Sequence, residues 1–89
     1  MKSKRTRRFR ELFAELPGPV QRQASEAYRL FQANPSHPGL AFKQVSSHGP
    51  TYSVRIGLHY RALAIRKSEE VIWFWIGSHA DYDKMLSHL

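Results

Sequence analysis

Two helices are predicted by the spacing of apolar residues in the first third of the chain. After Thr6, apolar side chains recur at i, i+3, i+4 and i+7, which places Phe9, Leu12, Phe13 and Leu16 on one helical face. The segment Pro17-Gly18-Pro19 ends this helix, and a second begins with Pro19 near its first position and stops at Asn34-Pro35. Its apolar face consists of Val20, Ala24, Ala27, Tyr28 and Phe31. Because the connection is so short, the two helices are expected to form a hairpin.

The hydrophobic period changes to two after the loop at 36–39, which indicates strands. The alternation is weak over 40–45 and clear over 52–56 and 61–65, as in an antiparallel sheet. Residues 71–76 are all apolar, which is typical of a central strand covered on both faces. Ser78 is placed to cap a last short helix that would pack on the core through Met85, Leu86 and Leu89. The pattern therefore predicts an α+β fold, with a helical hairpin on a sheet of three to four strands and a short C-terminal helix.

Composition narrows the class of protein. The chain has 89 residues, of which 42% are apolar, so a single domain over residues 1–89 is expected. It has no cysteine, which excludes disulfides, thiol nucleophiles and Cys-ligated metals, and the histidines show no metal-ligand spacing. We expect no metal and no cofactor. The longest apolar run is only six residues, so we expect no membrane segment, no signal peptide and a cytoplasmic location.

Positive charge is concentrated at the N-terminus. The net charge is +7, and the first ten residues contain six of the 14 Lys and Arg residues and no acid. Such a block attracts polyanions without regard to sequence, so Lys4, Arg5 and Arg8 are candidates for binding RNA. The alternative is a segment that only aids solubility or is covered by an acidic protein partner.

Two arginines are expected to face each other on neighbouring strands. If the chain turns through Gly57-Leu58-His59, Arg55 and Arg61 lie opposite each other and point away from the side of Tyr52, Val54 and Ile56. Like charges in this position destabilise a sheet, so their presence suggests a bound anion such as phosphate. A register one residue different would instead send the two side chains to opposite faces.

The densest group of reactive side chains follows the last predicted strand, in Gly77-Ser78-His79-Ala80-Asp81-Tyr82-Asp83. Cleavage of RNA by its own 2′-hydroxyl requires a base, cations that stabilise the phosphorane and an acid for the leaving oxygen. His79, the two arginines and Tyr82 are suited to these roles without a metal. Alternatively, His79 only begins the helix or forms a hydrogen bond. The run Trp73-Phe74-Trp75 is interpreted as core on both sheet faces rather than as a base-stacking surface.

Several segments together resemble toxins of the RelE/ParE superfamily of bacterial toxin–antitoxin modules, on the HigB-like and RelE-like side. They are Leu16-Pro17, Asn34-Pro35, Leu40-Ala41-Phe42-Lys43, Tyr52-Ser53-Val54-Arg55-Ile56, Tyr60-Arg61-Ala62-Leu63 and Trp73-Phe74-Trp75-Ile76-Gly77-Ser78-His79. The resemblance implies a helical hairpin against a curved antiparallel sheet. The first strand of that family has no counterpart in the alternation pattern, because residues 1–8 are basic rather than alternately apolar.

The resemblance also implies a function, a site and partners. The toxin would inhibit translation by cutting mRNA on the ribosome, and a cognate antitoxin would neutralise it. Arg55 and Arg61 would bind phosphate, His79 would act as acid or base, and Tyr82 would orient or stack on the cleaved nucleotide. Lys43 would contact RNA near the same surface. Two alternatives remain open: a ParE-like toxin that inhibits DNA gyrase without nuclease activity, and a basic nucleic-acid-binding domain without catalysis.

Overall fold

A computed structural model of the chain describes residues 1–45 and 49–88, and Leu89, which was expected to pack on the core, lies outside them. The described part contains five strands and three α-helices. In chain order they are β1 (Lys2–Arg5), α1 (Arg7–Ala14), α2 (Gly18–Ala33), β2 (Lys43–Gln44), β3 (Thr51–Ile56), β4 (Tyr60–Lys67), β5 (Glu70–Ser78) and α3 (His79–Leu86). A short 3-10 turn at Pro38–Leu40 connects α2 to β2. The predicted α+β fold class is confirmed, and the predicted order of elements is confirmed from α1 onward.

The sheet contains five strands, where the sequence predicted three to four. Its order is β1-β5-β4-β3-β2, and β1 runs parallel to β5 while the other pairs are antiparallel. The added strand is the basic segment that shows no apolar alternation. It is held by its backbone, since Lys2 N donates to Glu69 O and Thr6 N to Trp73 O, at 2.8 and 2.9 Å. The Trp73 indole also donates to the Ser3 hydroxyl at 2.8 Å. The sheet is therefore mixed rather than purely antiparallel.

Side-chain caps define where two of the helices begin. Thr6 accepts a hydrogen bond from Phe9 N and caps α1, and Ser78 accepts one from Asp81 N and caps α3, as predicted for Ser78. These hydroxyls satisfy amide groups that have no partner within the helix. Even α2, with 16 residues, is not a membrane span: within residues 1–45 and 49–88 no helix is sufficiently long and apolar.

The main core lies between the helical hairpin and one face of the sheet. At its centre, Phe31 of α2 makes edge-to-face contacts with Trp73 and Phe42, with ring centroids 5.2 and 5.0 Å apart. Val54 and Ile56 of β3 face the same core. Aromatic pairs in this geometry add attraction to the hydrophobic effect. The opposite face of the sheet is thus left for α3 and for the polar residues described below.

A bulge separates the two tryptophans of β5. Strict alternation would place Trp73 and Trp75 on the same face. The β4–β5 register instead shifts between Leu63, which pairs with Trp75, and Ala64, which pairs with Trp73. Trp73 therefore belongs to the main core, whereas Trp75 packs with Leu63 on the α3 side. The interpretation of this aromatic run as core on both faces is confirmed, although the faces are set by the bulge rather than by regular alternation.

Candidate active site

Two arginines are paired on neighbouring strands, on the sheet face opposite the helical hairpin, which we call the arginine face. The register pairs Arg55 with Arg61, and the next pair, Val54 with Ala62, packs into the main core on the other face. Arg55 is exposed, and Arg61 is half-buried and donates from Nη1 to the carbonyl of Tyr60 at 2.7 Å. This register confirms the predicted pairing and excludes the alternative shifted by one residue. No described carboxylate forms an ion pair with either arginine, so their charges are available to an anion.

A glycine keeps the surface beside Arg61 open. Gly77 pairs with Arg61 across the β4–β5 ladder. A Cβ atom added at Gly77 would lie 2.6 Å from the Trp75 ring, a distance too short for a Cβ atom in a folded protein. The indole therefore occupies the space of the missing side chain. At this position the sheet surface beside Arg61 therefore carries no projecting side chain.

His79 stands at the same end of the sheet as the arginines. Its backbone N–H donates to the carbonyl of His59, in the turn between β3 and β4, at 2.7 Å. This bond continues the β4–β5 ladder beyond the pair of Tyr60 with Ser78. His79 is two residues past Gly77, so its backbone lies roughly 7 Å along the strand from the level of Arg61. Three of the four residues predicted to be catalytic, Arg55, Arg61 and His79, are thus brought to one end of one sheet face.

The His79 imidazole has a carboxylate neighbour that the sequence reasoning did not assign a role. Nδ1 lies 3.4 Å from Asp83 Oδ2, one helical turn later. Both side chains are well exposed, at 49% and 63%, so this pair adds little to stability. Its effect is orientation: Nδ1 faces the carboxylate, and Nε2 has no partner among the described residues. The i, i+4 spacing of the two residues was the signal that could have identified Asp83.

Tyr82 does not occupy the exposed position that its predicted role requires. It is only 8% exposed and packs against Leu63 and Trp75. Its hydroxyl donates to the Ser53 hydroxyl at 3.3 Å, and its ring centroid is 5.8 Å from that of His79. A buried phenol cannot stack on a nucleotide or reach a leaving oxygen. This geometry corrects the predicted role, and Tyr82 anchors α3 beneath His79 instead.

We expect Tyr82→Phe to preserve function. The change removes the hydrogen bond to Ser53 but keeps the packed ring, so the free energy of unfolding should fall by about 1 kcal/mol. Urea denaturation measures this loss, and growth inhibition on expression measures function. A variant that is normally folded but no longer inhibits growth would restore a direct role for the phenol.

The predicted RNA-binding residues divide into two groups. Lys43 is exposed on β2 and pairs with Ser53. Because Ser53 is two residues before Arg55 on β3, Lys43 lies on the same sheet face as the arginines, in the neighbouring row of cross-strand partners. Lys4, Arg5 and Arg8 lie elsewhere, on β1 at the far edge of the sheet and on α1. Lys4 is 3.7 Å from Glu70, and Arg5 lines a cavity on the hairpin side. The structure thus groups only Lys43 with the arginine pair.

No metal site is evident in the part of the chain that the structure describes, since no three His, Asp or Glu side chains come together there as ligands. The chemistry available on the arginine face is therefore that of two guanidiniums, one ammonium and one imidazole. These groups can bind a phosphodiester and move a proton next to it.

Comparison with known proteins gives a family and a fold. The sequence model of a family described as "ParE-like toxin domain" matches residues 19–84. No curated protein sequence matches the chain significantly. Among solved structures, the RelB-RelE antitoxin-toxin complex from Methanococcus jannaschii matches with a TM-score of 0.74 and 14% identity over 92% of this chain and 96% of that one.

Two further structures extend the likeness. The isolated E. coli RelE toxin has a TM-score of 0.68 and 15% identity over 99% of this chain and 98% of that one. The YoeB/ParE toxin from Agrobacterium tumefaciens has a TM-score of 0.70 and 12% identity, covering 89% and 99%. At such identities the likeness establishes the fold alone. The fold is RelE-like, as the sequence resemblance implied.

Proposed function

Since the chain belongs to the family of ParE-like toxin domains, we propose that it is the toxin of a toxin–antitoxin module and inhibits translation by cutting mRNA on the ribosome. The observation that carries this proposal is the pairing of Arg55 with Arg61 on an open sheet face, with His79 at the same end. Two like charges held together at this position favour a doubly contacted anion. A phosphodiester of a single-stranded RNA is such an anion.

The proposed reaction is transesterification within the RNA. The arginines bind the non-bridging phosphate oxygens and stabilise the additional charge of the phosphorane. His79 Nε2 accepts the proton of the 2′-hydroxyl, whose oxygen then bonds to phosphorus while the bond to the 5′-oxygen breaks. The 5′-oxygen takes its proton from water, since Tyr82 is buried. The products are a 2′,3′-cyclic phosphate and a 5′-hydroxyl, and no metal or redox partner takes part.

A cognate antitoxin completes the proposed module. Two of the similar solved structures, from M. jannaschii and E. coli, are complexes of a toxin with its antitoxin. The net charge of +7 gives the present chain an affinity for an acidic partner. An antitoxin that covers the arginine face would block the approach of RNA.

Inhibition of DNA gyrase is the second candidate function, because the matching family is described by the name ParE. The two candidates differ in what happens to nucleic acids in intoxicated cells. A nuclease leaves cut mRNA and intact chromosomes, whereas a gyrase inhibitor leaves intact mRNA and broken DNA. A basic domain without catalysis would leave both intact, and its binding would weaken strongly with salt and with removal of residues 1–5.

His79→Ala tests the nuclease proposal. We expect cleavage of ribosome-bound mRNA to slow by about 100-fold or more, the typical contribution of a general acid or base. Folding should be unchanged because the side chain is half exposed and its backbone bond to His59 remains. The measurement is the single-turnover rate of cleavage on purified ribosomes.

His88→Ala is the matched control, since His88 is an exposed imidazole beyond the end of α3. It should cleave at the unaltered rate. Cleavage by the His79 variant at the rate of this control would exclude the proposed mechanism.

A further inference from the structure

A cavity of about 240 Å³ opens on the side of the sheet opposite the arginine pair. It lies between the helical hairpin and the sheet, with Phe9 and Phe13 of α1 on one wall and Phe31 and Trp73 among its deepest residues. Both of the latter are nearly fully buried, so the cavity reaches the centre of the main core. It plays no part in the proposed cleavage of RNA.

Small side chains are the reason that this space is not filled. Ala24 and Ala27 of α2 and Ala62 of β4 all line the cavity. Leucine or isoleucine at such positions would normally fill the gap between a helix and a sheet, and empty apolar space forfeits contacts and destabilises the fold. A ligand that restores those contacts would be bound favourably.

The mouth of the cavity is positively charged. Arg5 at the end of β1 and Arg29 on α2 both line it, together with the hydroxyl-bearing side chains of Ser25 and Tyr28. Among the described residues, no acidic side chain lines the cavity, and neither guanidinium has an ion pair or a hydrogen-bond partner. Two unpaired guanidiniums at the entrance of an apolar space complement a molecule with an anionic head and an apolar body.

We propose that this cavity binds a small organic carboxylate, whose apolar body enters between the helices and the sheet and whose carboxylate is held by Arg5 and Arg29. The volume fits this class of ligand, because an apolar protein cavity of about 150 Å³ can bind benzene and the present one also admits a short aliphatic chain. A small molecule is favoured over a protein segment because the space extends inward to Trp73 beneath the helices.

The test uses the full chain and three probes that share an apolar phenyl-alkyl part and differ in the polar end group: 4-phenylbutyrate, 4-phenylbutanol and 4-phenylbutylamine. We expect the carboxylate to bind in calorimetry and to raise the melting temperature by a few degrees. The alcohol should bind about tenfold more weakly, as expected for loss of a charge-assisted hydrogen bond, and the amine should not bind. Equal binding of all three probes, or of none, would overturn the proposal.

Substitutions in α2 test whether the carboxylate binds in this cavity. Arg29→Gln should weaken the carboxylate about tenfold and leave the alcohol unaffected, whereas Arg22→Gln, an exposed arginine on the same helix that does not line the cavity, should change neither. Ala27→Leu should fill the space and abolish binding while the circular dichroism spectrum stays native. Because Arg29 is exposed, its variant keeps the test decisive if Ala27→Leu does not fold.

Two further measurements identify a different occupant of the cavity. Sedimentation as a dimer that Ala27→Leu dissociates would assign the cavity to a second copy of the chain and overturn the proposal. Failure of the probes, combined with protection of Tyr28 by a bound antitoxin in footprinting, would assign it to that protein and overturn the proposal equally. Because the proposed nuclease reaction uses the opposite face, none of these outcomes bears on it.

Discussion

Arg61→Ala is expected to slow mRNA cleavage by roughly 100- to 1,000-fold, the usual effect of removing one group that stabilises a developing negative charge. Arg61 is half-buried, a hydrogen bond to the Tyr60 carbonyl restrains its guanidinium, and its cross-strand partner is Arg55. A phosphorane bound there would lose one of two cationic contacts. Arg61→Lys should recover only part of the rate, because an ammonium lacks the planar fork that contacts two oxygens.

Lys67→Ala is the matched control for this prediction. Lys67 is an exposed cation at the other end of the same strand, so its removal changes the net charge equally without touching the site. Its cleavage rate should stay within a factor of two or three of the wild-type rate, the size of a general charge effect under salt screening. If the two variants lost activity to the same extent, net charge rather than a local phosphate site would explain the effect of Arg61.

Phe31→Ala is expected to destabilise the domain by about 3 to 5 kcal/mol. Phe31 is 2% exposed and contacts the rings of Trp73 and Phe42. It also lines the hairpin-side cavity, so truncation would enlarge a space that is already unfilled. Since a small domain is stable by only about 5 to 15 kcal/mol, this loss should remove a large share of the stability and, at the low end of that range, leave a measurable unfolded fraction at 37 °C.

Urea denaturation followed by tryptophan fluorescence measures this effect, with Leu58→Ala as the control. Leu58 is an apolar residue of the β3–β4 turn that is 76% exposed, so its truncation should change the free energy of unfolding by less than about 0.5 kcal/mol. A loss below 1 kcal/mol for Phe31→Ala would show that the aromatic cluster is not the centre of the core.

Much of the fold could be predicted because local signals agreed with the final packing. Pro17-Gly18-Pro19 separates the two helices, and Ser78 caps α3. The pairing of Arg55 with Arg61 followed from the length of one short turn. In each case the determining residues are close in the sequence, so their spacing carries the information.

The strand β1 could not be predicted because its cause is distant in the sequence. Nothing in the side chains of Lys2–Arg5 favours a buried strand, and all but Ser3 are exposed. The strand forms because the edge of β5 offers backbone partners and because Trp73 donates to Ser3, 70 residues away. The bulge at Phe74 likewise depends on the register with β4, which alternation alone does not reveal.

The burial of Tyr82, in contrast, could have been predicted from the sequence. Tyr82, Met85 and Leu86 are spaced i, i+3 and i+4, so a helix that buries the last two also buries the tyrosine. The same helix turns His79 and Asp83, which are spaced i, i+4, toward solvent together. The two faces of α3 therefore have different roles: Tyr82 packs on the core, and His79 carries the imidazole of the proposed reaction.

The most direct test of the proposed reaction is the chemistry of the RNA ends that the wild-type protein produces. A defined mRNA is bound to purified ribosomes and incubated with the toxin in the presence of EDTA at a concentration that leaves the ribosomes intact, and the fragments are analysed by mass spectrometry. In the proposed reaction, Arg55 and Arg61 bind the phosphate and His79 accepts the proton of the attacking 2′-hydroxyl. This reaction predicts an upstream fragment with a 2′,3′-cyclic phosphate and a downstream fragment with a 5′-hydroxyl. Fragments with a 5′-phosphate and a 3′-hydroxyl, or intact mRNA in a preparation that inhibits gyrase, would contradict it.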